Sequence, residues 1–546
     1  MHKYVTLCCF LWLVACTKVK TDTNLPVLNT LKSSNSSIRL ITLMGPNKVT
    51  AVIGGLNYNL TPNNGVGSSG SNCAPGDITL AYQPTAVSIP EKVLDQAGNA
   101  HIRMAVGKPI FTGNGYSYVS TYSDTLLPDN PSNPIDYYIT PSTRTWEEVN
   151  YIITAVPRSA TPPVVPSNIK IRIVNMAAQT DTFQRTGPLT LTYADGKPVS
   201  ALTTNIPAGV ASGYVEIPYN TYRFRLFNQM GVEMPESTPV RYNSLAEAWP
   251  NTSYHNYQPG GVYTLFVNSN YSFILGSCGG ASNVMGNGFS VIPDVAPPVN
   301  TSFALVQYVN TIPGASYSLK VDNSTIGSTI PFRGVSGYQT MSLGNYSMLL
   351  TDQDGQTVVR QNITINPNDN LTIWSYVKNG KPLLSITASD LSAPNGLTMR
   401  FMNFSTDVPY ITYTYNGQVL PVSDPVTQNT WYPDINDTTS GAGASENLAI
   451  GVPATHLPYI GLRSFPLQVN RSDAGPPPFV PGIPLFSVRP LQQADFAVNN
   501  ALYAPGNPAF TNGELGVYTV ALTGYVDTTL REGAAIDTLL IVKHFK

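Results

Sequence analysis

Three alternating stretches constrain the fold more than any other feature of the sequence. "IKIRIVN" (169–175), "FALVQYVN" (303–310) and "LTMRFMN" (397–403) carry apolar residues at every second position, and each ends in Asn. This period predicts a β-strand with one buried face, and Asn at the strand end is typical of a turn. "IRLITLM" (38–44) is a weaker fourth example. The chain is therefore expected to start the same kind of unit several times.

Proline-rich stretches precede these strands at "PRSATPPVVPS" (157–167), "PDVAPPVN" (293–300) and "SAPNG" (392–396). Proline cannot donate to a sheet ladder and favours extended connectors, so the stretches are predicted domain boundaries. The predicted organisation is a lipoprotein signal peptide, a polar tether, a divergent β domain, two β-sandwich repeats and a third repeat with a long insertion, at 1–15, 16–37, 38–156, 168–292, 302–390 and 397–546.

Composition points to the same fold class. Charged residues make up only 11% of the 546 residues, whereas Tyr (31), Gly (43) and Pro (46) are abundant, which favours strands and turns over helices. A hydrophobic fraction of 42% and a net charge of -2 argue against disorder. Because no basic stripe is present, nucleic acid is not a predicted partner. We expect an all-β chain of tandem β-sandwich domains.

A doubled segment, "SGYVEIPYNTYRF" and "SGYQTMSLGNYSM", places Tyr214 and Tyr222 in one unit and Tyr338 and Tyr346 in the next. Each pair is predicted to lie on adjacent strands and to pack in a core, with an exposed ligand platform as the alternative. The region 127–152 matches no repeat and is interpreted as a long loop packed on its neighbour.

The order of these features resembles a known family. An opener ending in Asn is followed by a strand ending in Asp-Gly or Asp-Asn, then "GVSGY", a hairpin and a strand led by Gly or Asn. This order is similar to extracytoplasmic bacterial repeats catalogued as domain of unknown function 4397, often found in tandem in lipoproteins of the Bacteroidetes. The resemblance is best over 302–390, fair over 168–292, partial over 397–546 and poor over 38–156. It implies immunoglobulin-like or transthyretin-like sandwiches at the cell envelope, and it transfers no catalytic residue.

The N-terminus predicts a cellular address. The apolar run 5–14 is too short for a permanent membrane span but suits a signal peptide. Residues 13–16 resemble a bacterial lipobox, in which Cys16 is acylated and the acyl chains hold the protein at a membrane. Thr17, in place of Asp, favours the outer membrane, with the chain on the cell surface or facing the periplasm. The alternatives are an ordinary secretory signal cut near Ala15 or a buried apolar N-terminus.

Two cysteines would remain after processing and acylation, Cys73 and Cys278, both in Gly/Ser-rich loops. An oxidising compartment permits them to form a disulfide, but the sequence cannot supply the geometry. Five Asp-Thr sites are similar to the short O-glycosylation acceptor of Bacteroidetes envelope proteins. Their acceptor residues would be Thr125, Thr182, Thr438, Thr528 and Thr538. The alternative is that Asp favours turns and Thr favours strands at these positions.

No motif predicts catalysis, a metal or a cofactor. The four histidines of the processed chain, at 101, 255, 456 and 544, lack metal-ligand spacing and are expected on the surface or in loops. "DQDG" (352–355) is interpreted as a hairpin turn rather than a calcium loop. "GVSG" (334–337) is one residue short of a nucleophile elbow and recurs as "VASG" without a following helix, so an enzyme is not predicted.

Three functions compete. The first is a non-catalytic structural or adhesive lipoprotein that displays its sandwiches from a lipid anchor. The second is a glycan-binding accessory lipoprotein of a nutrient-uptake system, in which Trp431 and Tyr432 would stack on sugars. The third is a fimbrial subunit that donates a C-terminal strand at 536–545, although that strand more simply completes the last sandwich. The expected partners are the membrane, a glycan or another envelope protein.

Overall fold

The fold is described from a computed structural model of the chain. The residues that it describes are 35–43, 48–60, 63–64, 78–79, 82–83, 85–111, 116–141, 150–159, 161–179, 181, 184–234, 236, 254–275, 281–297, 299–389, 397–415, 418–419, 447–454, 459–460, 466–472, 482–492, 495–496, 516–525 and 538–544. Regular structure in these ranges is β-strand except for two short 3-10 turns, Glu91–Val93 and Ala201–Thr203. This confirms the predicted all-β class with several β-sandwich domains. No helix within the described ranges has the length and apolarity needed to cross a membrane.

The first sandwich contains two four-stranded sheets. Its strands are β1 (Asn35–Thr42), β2 (Lys48–Ile53), β3 (Leu56–Asn59), β4 (Asn63–Asn64), β5 (Ile78–Thr79), β6 (Tyr82–Gln83), β7 (Thr85–Pro90), β8 (Asn99–Phe111), β9 (Tyr116–Pro128), β10 (Ile135–Pro141) and β11 (Tyr151–Pro157). One sheet has the order β11-β10-β1-β7 and the other β3-β2-β8-β9. Ile38 and Leu40 from one sheet and Val49 and Ile102 from the other fill the core between them.

The second sandwich is held by one large sheet and smaller ones. Its strands are β12 (Asn168–Asn175), β13 (Leu189–Thr192), β14 (Val210–Ala211), β15 (Val215–Pro218), β16 (Asn220–Tyr222), β17 (Arg225–Asn228), β18 (Glu233–Met234), β19 (His255–Tyr257), β20 (Val262–Leu275) and β21 (Ala281–Val295). In the large sheet, β15 and β14 pair with successive halves of β12, whose other edge pairs with β20, and β21 follows β20. The strand β5, which lies between strands of the first sandwich in the sequence, also pairs with β20 in this sheet. The sheet β13-β17-β18 and the pair β16-β19 complete the unit.

The third sandwich is the most regular. Its strands are β22 (Phe303–Asn310), β23 (Tyr317–Val321), β24 (Ser324–Ile330), β25 (Gln339–Ser342), β26 (Gly344–Thr351), β27 (Thr357–Ile365), β28 (Asn370–Lys378) and β29 (Lys381–Ala388). The sheets β25-β22-β28-β29 and β24-β23-β26-β27 enclose the core. The segment 352–355 forms the β26–β27 hairpin turn, as predicted. Asp352 accepts the amides of Asp354 and Gln356 there at 3.0 and 2.8 Å.

The fourth sandwich contains β30 (Leu397–Ser405), β31 (Tyr410–Tyr415), β32 (Gln418–Val419), β33 (Leu448–Ala449), β34 (Tyr459–Ile460), β35 (Leu467–Ser472), β36 (Ile483–Pro484), β37 (Gly516–Gly524) and β38 (Thr538–Lys543). One sheet has the order β34-β30-β37-β38, and the other has β32-β31-β35-β36 with β33 beside β31. Met399 and Phe401 on β30 pack in the core with Tyr413 on β31.

All four units share one sheet plan. The opening strand lies parallel to a late strand, in the pairs β1–β10, β12–β20, β22–β28 and β30–β37. At its other edge the opening strand pairs antiparallel with a strand that precedes the late strand in the sequence. The last strand of the unit pairs antiparallel with the late strand. The loop interpretation of 127–152 is therefore wrong. This region contains β10, a central strand whose alternating residues Tyr137 and Ile139 pack in the core.

Candidate functional site

The outer faces of the opener sheets are not exposed, because the sandwiches pack on each other through them. Between the first and second sandwiches lies a cluster of buried apolar residues: Ile41, Leu43, Tyr138, Val156, Val174, Met176 and Phe266. Between the third and fourth lies a second cluster: Val309, Trp374, Tyr376, Met402, Phe404, Ala521 and Val542. Beside each cluster is a group of buried polar side chains, and these two groups are the candidate site.

The first polar centre consists of Arg39, Asp136, Arg158, Arg172 and Asp294. Arg39 donates to both carboxylate oxygens of Asp136 at 2.8 and 2.7 Å, and Arg158 donates to Asp136 Oδ1 at 2.8 Å. Arg39 Nη2 also pairs with Asp294 across the interface, and Arg172 Nη2 lies 3.6 Å from Asp136. Burial lowers the pKa of Arg39, but the hydrogen bonds and charges of the two carboxylates outweigh it and raise that pKa overall.

Hydroxyl groups complete the first polar centre. Thr264 and Tyr214 donate to Asp294 Oδ2 at 2.5 and 2.6 Å, and Arg172 Nε donates to Thr264 at 2.8 Å. The Arg172 guanidinium stands 4.6 Å from the centroid of the Tyr214 ring, a cation–π distance. Burial, with the charge of Asp294, raises the pKa of Tyr214. The three arginines and two carboxylates therefore join the two sandwiches through paired charges rather than a reactive group.

The second polar centre consists of Gln307, Tyr338, Thr372, Arg400, Thr519 and His544. His544 is fully buried, with Nε2 at 2.6 Å from Thr519 Oγ1 and Nδ1 at 3.1 Å from Gln307 Nε2. Since an amide nitrogen can only donate, Nδ1 accepts and Nε2 carries the proton. Burial, with the nearby charge of Arg400, lowers the His544 pKa to about 3. His544 follows the last residue of β38, so the prediction of a loop position holds, but the prediction of a surface position is wrong because the side chain is fully buried.

The two centres occupy equivalent positions of the same plan. Arg39 faces Asp136 in the parallel pair β1–β10, and Gln307 faces Thr372 in β22–β28. Arg172 likewise faces Thr264 in β12–β20, as Arg400 faces Thr519 in β30–β37. Asp294 follows Pro293, the partner of Tyr263 in the pair β20–β21, and His544 follows Lys543, the partner of Tyr518 in the pair β37–β38. Asp294 and His544 are therefore equivalent in position. Even the Arg172 bond to Pro157 O has its counterpart in the Arg400 bond to Ala388 O.

The doubled segment contributes a tyrosine to each polar centre. Its first tyrosine reaches the equivalent residue in each, since the Tyr214 hydroxyl donates to Asp294 and the Tyr338 hydroxyl lies 3.2 Å from His544 Nδ1. The second tyrosine closes the following turn: Tyr222 and Tyr346 donate to the carbonyl four residues earlier, at 2.7 and 2.9 Å. Only the second tyrosine packs on the core of its own sandwich, so the core prediction is wrong for the first.

The serine of each doubled segment is also structural. Ser212 and Ser336 accept the amides of Ile173 and Tyr308 at 2.9 and 2.8 Å. Each then donates to the carbonyl of the following glycine, at 2.9 and 3.0 Å. The hydroxyl thus replaces a backbone partner where the edge strand leaves the opener.

The opener asparagines are fully buried clamps. In each case Nδ2 donates to two backbone carbonyls and Oδ1 accepts the amide two residues on, for Asn175, Asn310 and Asn403. Thr42 holds this position in the first sandwich, and its buried hydroxyl has no partner in the described part of the chain. The sequence predicted a turn at each of these asparagines. It did not predict that their side chains are buried, because an Asn at the end of a strand is usually exposed.

The structure describes a minority of the predicted site residues. Cys16, Cys73, Cys278, Trp431, Tyr432, Thr182, Thr438, Thr528 and His456 lie outside the described residues. Of the acceptor threonines that are described, Thr538 is exposed at the start of β38, whereas Thr125 faces the same side of its sheet as its buried partner Ile102. His101 is exposed beside Asp95, and His255 Nε2 lies 2.5 Å from the buried carboxylate of Glu236. The described residues contain no group of three or more His, Cys, Asp or Glu side chains that could hold a metal ion.

Comparison with known proteins locates one relationship. No curated protein matches the chain. Residues 304–414 match the family model of the domain of unknown function (DUF4397), a range that begins in β22 and ends in β31. The match covers the third sandwich, including Asn310, Ser336 and Tyr338, and the first strands of the fourth. Over this range the chain is therefore similar to the domain of unknown function 4397.

Proposed function

We propose that this chain is a non-catalytic, lipid-anchored envelope protein of the type found in Bacteroidetes, with a structural or adhesive role. The observation that carries the proposal is the use of its buried polar groups. The two polar centres join neighbouring sandwiches, and their acids, arginines and histidine bond to other side chains of the same centre or to strand backbone. Side chains committed to such contacts favour a display scaffold over an enzyme.

We also propose that the sandwiches are repeated domains of one family. The shared sheet plan supports this, because four separate openers pair parallel with a late strand of their own unit. The equivalent roles of Asn175, Asn310 and Asn403, and of Ser212 and Ser336, support it at residue level. Such equivalence arises when one domain sequence is copied and then diverges on its surface. The divergent loops would then carry the recognition of a partner.

Antibody labelling and protease accessibility on intact cells test the address and the role. We expect the wild-type chain in the membrane fraction and labelled outside, and Cys16→Ser in the soluble fraction. Thr17→Ser is the matched control and should leave anchoring unchanged. A glycan and cell-adhesion screen follows if the chain is outside. Protection of the anchored chain from both probes, with a periplasmic marker equally protected, would exclude the adhesive role.

A further inference from the structure

The second polar centre has kept one arginine but neither carboxylate of its counterpart. At the first centre, three arginines face two buried carboxylates. At the equivalent positions, Gln307 replaces Arg39, and Ser389 replaces Arg158. Thr372 and His544 stand where Asp136 and Asp294 supply the negative charge. Arg400 alone retains its charge, in the place of Arg172.

Arg400 has no counterion in the part of the chain that the structure describes. Its Nη2 donates to the carbonyl of Ala388, and its buried Nη1 has no hydrogen-bond partner among the described residues. Burial lowers the pKa of Arg400, and Tyr338 is the group that acts against this. A partly buried guanidinium without a carboxylate is costly, since a buried charge is normally paired.

Two further buried polar groups lie beside this arginine. Asn370 is 1% exposed and Ser389 is 5% exposed. Among the described residues the Ser389 hydroxyl has no hydrogen-bond partner, and the Asn370 side chain approaches the Tyr338 hydroxyl without a well-formed hydrogen bond. The amide of Ser389 donates to the carbonyl of Asn370, so the two are neighbours across β28 and β29. Ser389 also directly follows Ala388, to which Arg400 bonds. Three buried donors, one of them charged, therefore come together at one end of the interface.

We propose that the second polar centre binds a small monovalent anion, a carboxylate or a halide, between Arg400, Asn370 and Ser389. The anion would accept from Arg400 Nη1, from the Asn370 amide and from the Ser389 hydroxyl. A single negative charge matches the single unpaired guanidinium, because neutral His544 contributes none. The bound anion takes the electrostatic place of Asp136 and fastens the fourth sandwich to the third.

Thermal unfolding of the full chain in increasing sodium formate, with ionic strength balanced by sodium sulfate, tests this inference. We expect a saturable rise of the midpoint for the wild type, because a ligand stabilises the state that binds it. Arg400→Gln should weaken the apparent formate affinity by about tenfold or more, the loss of a charged hydrogen bond. Arg360→Gln, an exposed site in the same sandwich as Asn370, is the matched control and should not change it.

Two further variants keep the test decisive if Arg400→Gln does not fold. Thr372→Asp places a carboxylate where Asp136 stands at the first centre, and it should abolish the formate response while the chain remains folded. Asp390 directly follows Ser389 in the sequence and lies outside the described residues. Asp390→Asn therefore tests whether the chain supplies its own anion: a formate response that appears only in this variant would overturn the proposal. In crystals soaked in bromide, an anomalous peak next to Arg400 Nη1 would locate the anion. An equal formate response in the wild type and Arg400→Gln would also overturn it.

Discussion

Asn310 shows how one side chain holds the end of an opener strand. Its Nδ2 donates to Ala315 O and Ile330 O, both at 2.9 Å, and its Oδ1 accepts from Ile312 N and Ser375 Oγ, both at 3.0 Å. The side chain is fully buried, so bulk water does not reach the groups that it holds. A buried carbonyl left without a donor costs more than the hydrogen bond itself contributes.

Asn310→Ala should therefore lower the free energy of unfolding of the third sandwich by about 3 kcal/mol, since it leaves two buried carbonyls and an amide unpaired. Urea unfolding followed by tryptophan fluorescence measures this, because Trp374 lies in the same sandwich. Asn345→Ala is the matched control, an exposed Asn expected to cost about 0.5 kcal/mol or less. Equal midpoints for the two variants would show that the clamp is dispensable.

His544 makes the interface between the third and fourth sandwiches sensitive to acid. Its pKa is about 3 in the folded chain and 6.5 for an unperturbed histidine, so below the higher value the unfolded chain binds a proton that the folded chain does not. Stability is complete above the unfolded pKa and declines as pH falls toward the folded one. Between about pH 7 and pH 5 the slope should approach 1.4 kcal/mol per pH unit at its steepest, roughly the value of one proton.

His544→Gln should flatten this decline, because glutamine keeps hydrogen bonding without titrating. The charged and titratable neighbours Arg400 and Tyr338 keep their protons over the same range, so they do not supply the slope. His101→Gln removes an exposed histidine and serves as the control. The unfolding midpoint measured at several pH values decides the matter, and a slope unchanged by His544→Gln would exclude this residue as its source.

At the scale of strands, the sequence predicted openers well and late strands unevenly. Alternation was clear in β12, β22 and β30 because one face of each packs in a core. The other face is also buried, against the next sandwich, and Arg39 or Gln307 at such positions resembles an ordinary exposed polar residue. That is why the polar centres were not predicted. The strand β10 was missed for a related reason, since its Asp136 and its flanking prolines resemble a loop.

The C-terminal strand β38 completes the fourth sandwich by pairing with β37 from Thr538 to Lys543. Leu539 and Ile541 pack against the core, and Val542 lies in the interface with the third sandwich. Deletion of 536–546 should therefore unfold the fourth sandwich and expose apolar surface. The protein should then aggregate, and size-exclusion chromatography would detect the aggregates. Deletion of 545–546 alone keeps the strand and is the control. A stable, monomeric 536–546 deletion would instead support a donated strand and a fimbrial role.

The pairing of β5 with β20 supports the hypothesis of a disulfide between Cys73 and Cys278. Ile78 lies opposite Ile274 in an antiparallel ladder, Cys73 precedes Ile78 by five residues and Cys278 follows Ile274 by four. The two cysteines themselves lie outside the described residues. Because the chain segments leave one antiparallel pair in the same direction, we expect a Cys73–Cys278 disulfide in protein from an oxidising compartment. Peptide mapping without reductant should recover the linked pair, and two free thiols would refute it.

At the scale of the whole molecule, neighbouring sandwiches are held together by direct contacts and not by their linkers alone. The second sandwich contacts the first through the Arg39–Asp294 pair, the third through Tyr219 and Phe303, and the fourth through Tyr254 and Val517. Proline linkers alone would allow hinge motion, because short interdomain contacts are usually mobile. Buried charge pairs and apolar clusters between the same faces oppose it.

Asp136 is the carboxylate with the most arginine partners in the first clamp, since it is fully buried and pairs with Arg39 and Arg158, with Arg172 close by. Asp136→Asn should cost about 3–5 kcal/mol, because it leaves Arg158 without its counterion and Arg39 with Asp294 alone. The loss should part the first two sandwiches, so that trypsin cleaves after the released Arg158. The radius of gyration from X-ray scattering should rise as well.

The exposed turn variant Asp354→Asn is the matched control for this loss and should stay protected and compact. Unchanged scattering and protection in Asp136→Asn would mean that the apolar cluster around Val174 and Phe266 suffices to join the sandwiches. The buried charges would then set only the register of the contact, a role in which such groups add specificity rather than stability.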